Sequence, residues 1–208
     1  YFYGLSSHEN VEIKLYNKAN PLKPWKTMGR MHDKYLIADG KIYILGGRNT
    51  YNYFLGDFPG HKNFDRDVLV VCDEPQKDNS VNQLWNYFET IWEQEDCRYF
   101  HNSKKLADRQ SVKKAVLELQ EGYQQYFEVN KEKICDKDYA DETFETEKIT
   151  LLSNPIHTQA KEPVVWYQLG ELMKNAKERV KIHTPYIICN DMMYNTWEEI
   201  AQKVPDFS

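Results

Sequence analysis

The chain has 208 residues and a formal net charge of −5, with 27 Lys and Arg against 32 Asp and Glu. That length suits one large domain or two small ones, and the acid excess argues against a nucleic-acid backbone as the main partner, since such binders carry a basic stripe. No apolar run approaches the ~20 residues needed to cross a bilayer, and the 4 cysteines (Cys72, Cys97, Cys135, Cys189) lack both a C-x-x-C pair and metal-ligand spacing, so they read as buried free thiols.

The first residue is Tyr1, with neither Met nor a leader pattern, and the chain reads as a piece of a longer protein. Val11–Tyr16 alternates and predicts a strand. A loop from Asn20 to Thr27 follows, with Trp25 as its anchor against the surface. The stretch 31–49, MHDKYLIADGKIYILGGRN, then organises the chain. Apolar runs flank Asp39-Gly40, a preferred mirror-image turn pair, and predict a two-stranded hairpin. With a two-residue loop, Lys34 faces Leu45, His32 faces Gly47 and Arg30 faces Asn49. Alternation puts His32 and Lys34 on one face, and the same count brings Asn49 to that face at the same end. Both faces of the hairpin are apolar, which predicts strands covered on both sides. An imidazole, an ammonium and a carboxamide beside Gly46-Gly47 make a small anion site that carries a nucleophile. Asp39, in the turn at the far end, reads as a backbone-bonding residue. Lys23, Lys26, Arg30, Lys34 and Arg48 cluster around this stretch in sequence.

His32, Lys34 and Asp39 form H-x-K-x-x-x-x-D, followed at the right distance by Gly46, Gly47 and Asn49. This resembles the phospholipase D superfamily, whose signature continues G-S/G-x-N. The match is specific because six positions agree inside a strand-turn-strand context; Gly47 stands where many members carry Ser. The resemblance implies a phospholipase D-like α/β fold, a mixed sheet flanked by helices. It implies His32 as the nucleophile, Lys34 and Asn49 as phosphate-binding groups, Gly46 and Gly47 as close-approach backbone, and a structural Asp39. It further implies a carboxylate on the other nitrogen of the histidine, with Asp67 the first choice and Asp65 the second. The bland alternative, that Asp67 pairs with Arg66 or a loop, stays open. Within the superfamily the D-G hairpin, the GGRN ending and the T-P-Y segment look most like bacterial cardiolipin synthase-type proteins. The implied activity is phosphatidyl transfer or phosphodiester cleavage on a phospholipid through a phosphohistidine, at the membrane surface or its cytoplasmic face, without metal or cofactor. A nuclease of the same superfamily and an inactive scaffold are the other readings.

Downstream of the hairpin, residues 50–55 carry three aromatics, Tyr51, Tyr53 and Phe54; they read either as the lining of a substrate mouth or as core, with at least half expected in the core. A Gly/Pro/Asp-rich loop spans Gly56–Asn63 and carries an exposed His61. Asp65-Arg66-Asp67 opens a strand, Val68–Asp73. Helical spacing predicts Asn79–Glu95, capped at Asn79 or Ser80, and Ser111–Phe127, both with aromatic stripes assigned to the core. Lys131–Glu147 is a solvated, charged stretch. A strand over Lys148–Ser153, a helix over Val164–Ala176, a strand over Val180–His183 ending in Thr184-Pro185-Tyr186, and a helix over Met192–Gln202 complete a βαβ-like alternation; His183 is structural. No second H-x-K occurs, whereas the resembled family builds one site from two motifs. The chain therefore divides as 1–147, the late part of a first repeat, and 148–208, the start of a second repeat lacking its motif. The missing half, from the same protein or from a homodimer partner, is expected to complete the site.

Overall fold

The computed structural model describes residues 1–51, 53–54, 59–72, 79–100, 103–156, 162–184 and 186–208, with the side chains of Thr27 and Lys104 left aside. Several expectations fall outside that set: the loop residues Gly56–Phe58, the strand end at Asp73, and Pro185. The chain is mixed α/β and forms two compact units, Tyr1–Leu151 and Leu152–Ser208. Residues 148–151, expected in the second unit, stay with the first.

The first unit begins with α1 (Phe2–Leu5) and β1 (Lys14–Tyr16), followed by a 3₁₀ turn at Pro24–Met28. The hairpin strands β2 (Lys34–Ala38) and β3 (Ile42–Gly46) come next, then β4 (Asp67–Val71), α2 (Ser80–Trp92), β5 (Cys97–Tyr99), α3 (Lys104–Ala107) and α4 (Gln110–Lys131). β1 stands outside the hairpin sheet. It pairs antiparallel with β5, while β2, β3 and β4 form a separate antiparallel sheet in that order. Lys14 holds the β1–β5 ribbon against α2. Its ammonium donates to the Trp92 carbonyl at 2.6 Å and lies 4.6 and 4.7 Å from the Trp92 and Tyr99 ring centroids.

The hairpin turn forms as the Asp-Gly pair dictates. Asp39 and Gly40 have φ of 53° and 65°, and the Lys41 N–H closes on the Ala38 carbonyl at 3.0 Å. The register nonetheless differs from the expected one by a single residue. Ala38 pairs with Ile42, so Lys34 faces Gly46 instead of Leu45. Lys41 is the extra residue, and its carbonyl accepts from Cys72 N at 2.8 Å, just beyond β4. That bond reaches past the hairpin to the residue after β4, a contact invisible in the hairpin's own sequence.

In this register Tyr35, Ile37, Tyr43, Leu45 and Val70 share one face and pack with α2. The core is Tyr43, Val81 and Leu84, all at most 2% exposed, with Tyr87 and Leu151 against them. α2 is positioned by Asn79, whose Oδ1 accepts from Asn82 N at 2.8 Å, as its capping signature predicts. The opposite face, with Leu36 at 58% and Ile44 at 43%, is open. The two-sided cover expected for the hairpin is thus one-sided among the described residues. The second aromatic stripe is also not core: α4 buries none of its residues, and Tyr123 and Tyr126 are 62% and 57% exposed. Tyr51, Tyr53 and Trp25 are exposed as well. The thiols expected to be buried are not: Cys135 is exposed, and Cys72, Cys97 and Cys189 are only partly buried. Residues 148–153 form no ladder; the Leu151 N–H donates to Gln83 Oε1 of α2 at 2.9 Å instead.

The second unit contains α5 (Val164–Lys174), β6 (Arg179–Val180), α6 (Asp191–Lys203) and β7 (Asp206–Phe207). β6 and β7 pair in parallel around α6, a small βαβ turn. Ile200 and Val204 are buried, and Trp166 meets Trp197 edge to face at 5.8 Å. Both expected helices are present, while β7 was not foreseen.

Candidate functional site

β2 begins at Lys34, so His32 and Asp33 form the unpaired lead-in to the sheet. Lys34, Gly46 and Asp67 make one cross-strand row on one face, at the end of the sheet away from the turn. Neighbouring strands lie ~4.8 Å apart, which puts Lys34 and Asp67 about 10 Å apart with Gly46 between them.

The sequence places His32 and Lys34 side by side, and the structure does the same. Lys34 Nζ donates to the His32 carbonyl at 2.6 Å and lies 2.9 Å from His32 Nδ1. An ammonium has donors only, so Nδ1 accepts and the imidazole proton sits on Nε2. His32 is exposed and Lys34 partly buried. The lysine and the histidine therefore satisfy each other.

Asp67 is not the histidine's partner. Its Oδ2 accepts from Arg48 Nε at 2.7 Å, and Arg48 also donates to the Phe54 carbonyl at 2.9 Å and the Asp65 carbonyl at 3.0 Å. Arg48 outcompetes the imidazole because its fork reaches three oxygens at once. Asp65, the second choice, accepts from Arg66 N through Oδ1 at 2.8 Å. The open alternative, a loop-pairing role, describes both residues.

The glycines are needed for space. A Cβ on Gly46 would overlap Asp67 Oδ1 and lie 2.9 Å from Asp67 Cα; one on Gly47 would lie 2.6 Å from Asp65 Oδ2. The hydroxyl of a Ser at position 47 is thus replaced by an acidic neighbour, which fills the same corner. The observed register also removes the argument that set Asn49 beside His32. Pairing ends at Lys34 and Gly46, and a count continued from there brings Arg48, not Asn49, onto the face of Lys34. Asn49 is partly buried, and its carbonyl accepts from Tyr51 N at 2.9 Å. Asp39 keeps the turn role expected of it.

No family model matches this chain, and no curated protein or solved structure matches it.

Two groups escaped the sequence reading. Asp33, between the two motif residues, accepts from Tyr87 Oη at 2.5 Å, which ties the lead-in of β2 to α2. Tyr35 meets the Tyr87 ring at 6.1 Å. Burial first and the Asp33 charge second push Tyr35 up to about 12. Burial, then the hydrogen bond to Asp33, raises Tyr87 further. Both phenols stay protonated, and Tyr87 remains a donor throughout the working pH range. Arg48 was visible as part of GGRN, but two of its three partners lie 17 and 19 residues away. Among the described residues no cluster of three or more His, Cys, Asp or Glu side chains is arranged for a metal, and no helix is long and apolar enough to cross a membrane.

Proposed function

We propose that this chain is a phospholipase D-like piece that carries the nucleophilic half of a phosphodiester-processing site, with phosphatidyl transfer or hydrolysis on a phospholipid as its chemistry. The observation that carries the proposal is the His32–Lys34 pair at 2.9 Å, at the open end of a hairpin that finishes in Gly-Gly. A phosphodiester oxygen binds Lys34 Nζ and takes it off Nδ1. The imidazole can then carry its proton on Nδ1, and Nε2 attacks phosphorus. The N–P bond forms as the P–O bond to the leaving alkoxide breaks. Water or an alcohol then attacks phosphorus and releases the histidine. Lys34 offsets charge on the non-bridging oxygens, the role in which such sites gain most; Asn49 is assigned a share of it on motif spacing alone. A second acid–base group is required for an alkoxide leaving group, and the proposal places it on a second motif from elsewhere in the protein or from a second copy. A phospholipase D-like sheet and membrane association belong to the same proposal.

A substrate with a good leaving group separates the nucleophile from the missing acid. Nitrophenolate needs no protonation, so bis(p-nitrophenyl) phosphate should release a burst approaching one nitrophenolate per chain and leave an aryl phosphate adduct on the His32 peptide. His32→Asn should abolish both. A burst that survives in His32→Asn, or an adduct mapped to another histidine, overturns the assignment.

A further inference from the structure

The chain is acidic overall, yet one cavity of about 240 Å³ is lined by four cations, Lys18, Lys23, Lys26 and Arg98, with Asn17 and a single carboxylate, Asp96. Lys26 lies 3.7 Å from Asp96. No carboxylate of the described residues pairs with Lys18, Lys23 or Arg98. Lys18, Lys23 and Arg98 are exposed, and like charges around one hollow repel each other, so a held backbone helps to keep them together.

Here the backbone is held. Asn17 adopts a left-handed φ of 44°, and its side-chain amide donates to the Lys26 carbonyl at 2.6 Å and the Gly29 carbonyl at 2.8 Å. Its own N–H donates to the Asp96 carbonyl at 2.7 Å, which clamps the loop to the start of β5. Leu22 N donates to Asn20 Oδ1 at 2.9 Å, and Lys26 N to the Lys23 carbonyl at 3.1 Å. The loop that carries three of the lysines is therefore preorganised, the condition under which a charged site binds without a large ordering cost. Asn17 and Ala19 also line a neighbouring cavity of about 340 Å³ that includes Gly29, Arg30 and Met31, immediately before His32.

We infer that this cavity binds a small phosphate-bearing anion, a phosphomonoester or diphosphate group. Pockets for drug-sized ligands run to ~300–1,000 Å³, and a hollow of about 240 Å³ has room for a phosphoryl or diphosphoryl group. Three ammonium point charges and one guanidinium fork suit phosphate oxygens. The inference stands apart from the assignment of His32, which is not among the lining residues. The group has two possible sources, a soluble phosphate or an anionic lipid headgroup.

Titration calorimetry of the chain with pyrophosphate at low ionic strength tests it. Saturable binding is expected, weakened at least tenfold in Lys23→Gln/Arg98→Gln and within twofold of wild type in Lys113→Gln/Lys114→Gln, a change of equal charge on α4. Circular dichroism checks that the variants keep their fold. Sedimentation with phosphatidylglycerol vesicles, phosphatidylcholine as control, identifies the source. Vesicle binding displaced by pyrophosphate marks a headgroup, and pyrophosphate binding without vesicle binding marks a soluble phosphate. Binding of neither probe, or equal loss in the two double variants, overturns the inference.

Discussion

Replacing Gly47 by Ser restores the hydroxyl that many members of the resembled superfamily carry, and in this chain it should destabilise. A Cβ at 47 would lie 2.6 and 2.9 Å from the two Asp65 carboxylate oxygens and 3.0 Å from Cγ. Asp65 must swing aside, which sacrifices its bond to Arg66 N at 2.8 Å. One such bond is worth about 0.5–1.5 kcal/mol, and overpacking costs about 1–3 kcal/mol. Because Asp65 is only partly buried and can rotate, the low end of each applies, and the sum is about 1.5 kcal/mol. In an Asp65→Ala background the corner is empty, and the same substitution should cost under about 0.5 kcal/mol. Urea unfolding of the four chains of this cycle, followed by circular dichroism, gives the coupling directly. A Gly47→Ser variant as stable as wild type refutes the reasoning, as does one that loses as much with Ala at 65 as with Asp.

Other consequences follow from the same contacts. Arg48→Lys keeps the charge but loses the fork, so it should cost about 1–2 kcal/mol in urea unfolding, because two of three part-buried hydrogen bonds are lost; Lys113→Gln, which removes an exposed ion pair, should stay within about 0.5 kcal/mol of wild type. Tyr35 and Tyr87 titrate higher folded than unfolded, so their protonated forms favour the native state. That contribution is complete below the ordinary tyrosine value of 10.0 and is lost as pH climbs toward about 12. Urea midpoints should therefore fall across that interval, and Asp33→Asn should flatten the fall; a midpoint independent of pH over the interval contradicts the cluster. Leu84→Ala, at a side chain 1% exposed, should cost about 2–5 kcal/mol. Ile200→Ala, at a fully buried side chain, should cost about as much.

Much of the local structure was legible because its causes are local. Asn79, one of the two cap candidates, caps α2 through a short bond to the N–H group three residues on. Asp39-Gly40 turns the hairpin because these residues tolerate positive φ. The two-residue spacing of His32 and Lys34 on an extended segment is enough to bring them together. The sequence also sets the acid excess, the absence of a C-x-x-C pair and the H-x-K-x-x-x-x-D spacing.

The tertiary structure decided what depends on competition between distant groups. Lys41 is the extra residue of the hairpin and its carbonyl meets Cys72 N, and the one-residue slip changes which of Arg48 and Asn49 shares a face with Lys34. Asp67 could have met His32 or Arg48, and the guanidinium took it because three oxygens converge where Arg48 reaches. The stripes of α2 and α4 look alike in sequence, yet only α2 has a sheet to bury against. A side chain's periodicity states which way it faces along its own element; whether anything lies there, and which of several partners wins, is a property of the surfaces and donors that folding brings into the same few ångströms.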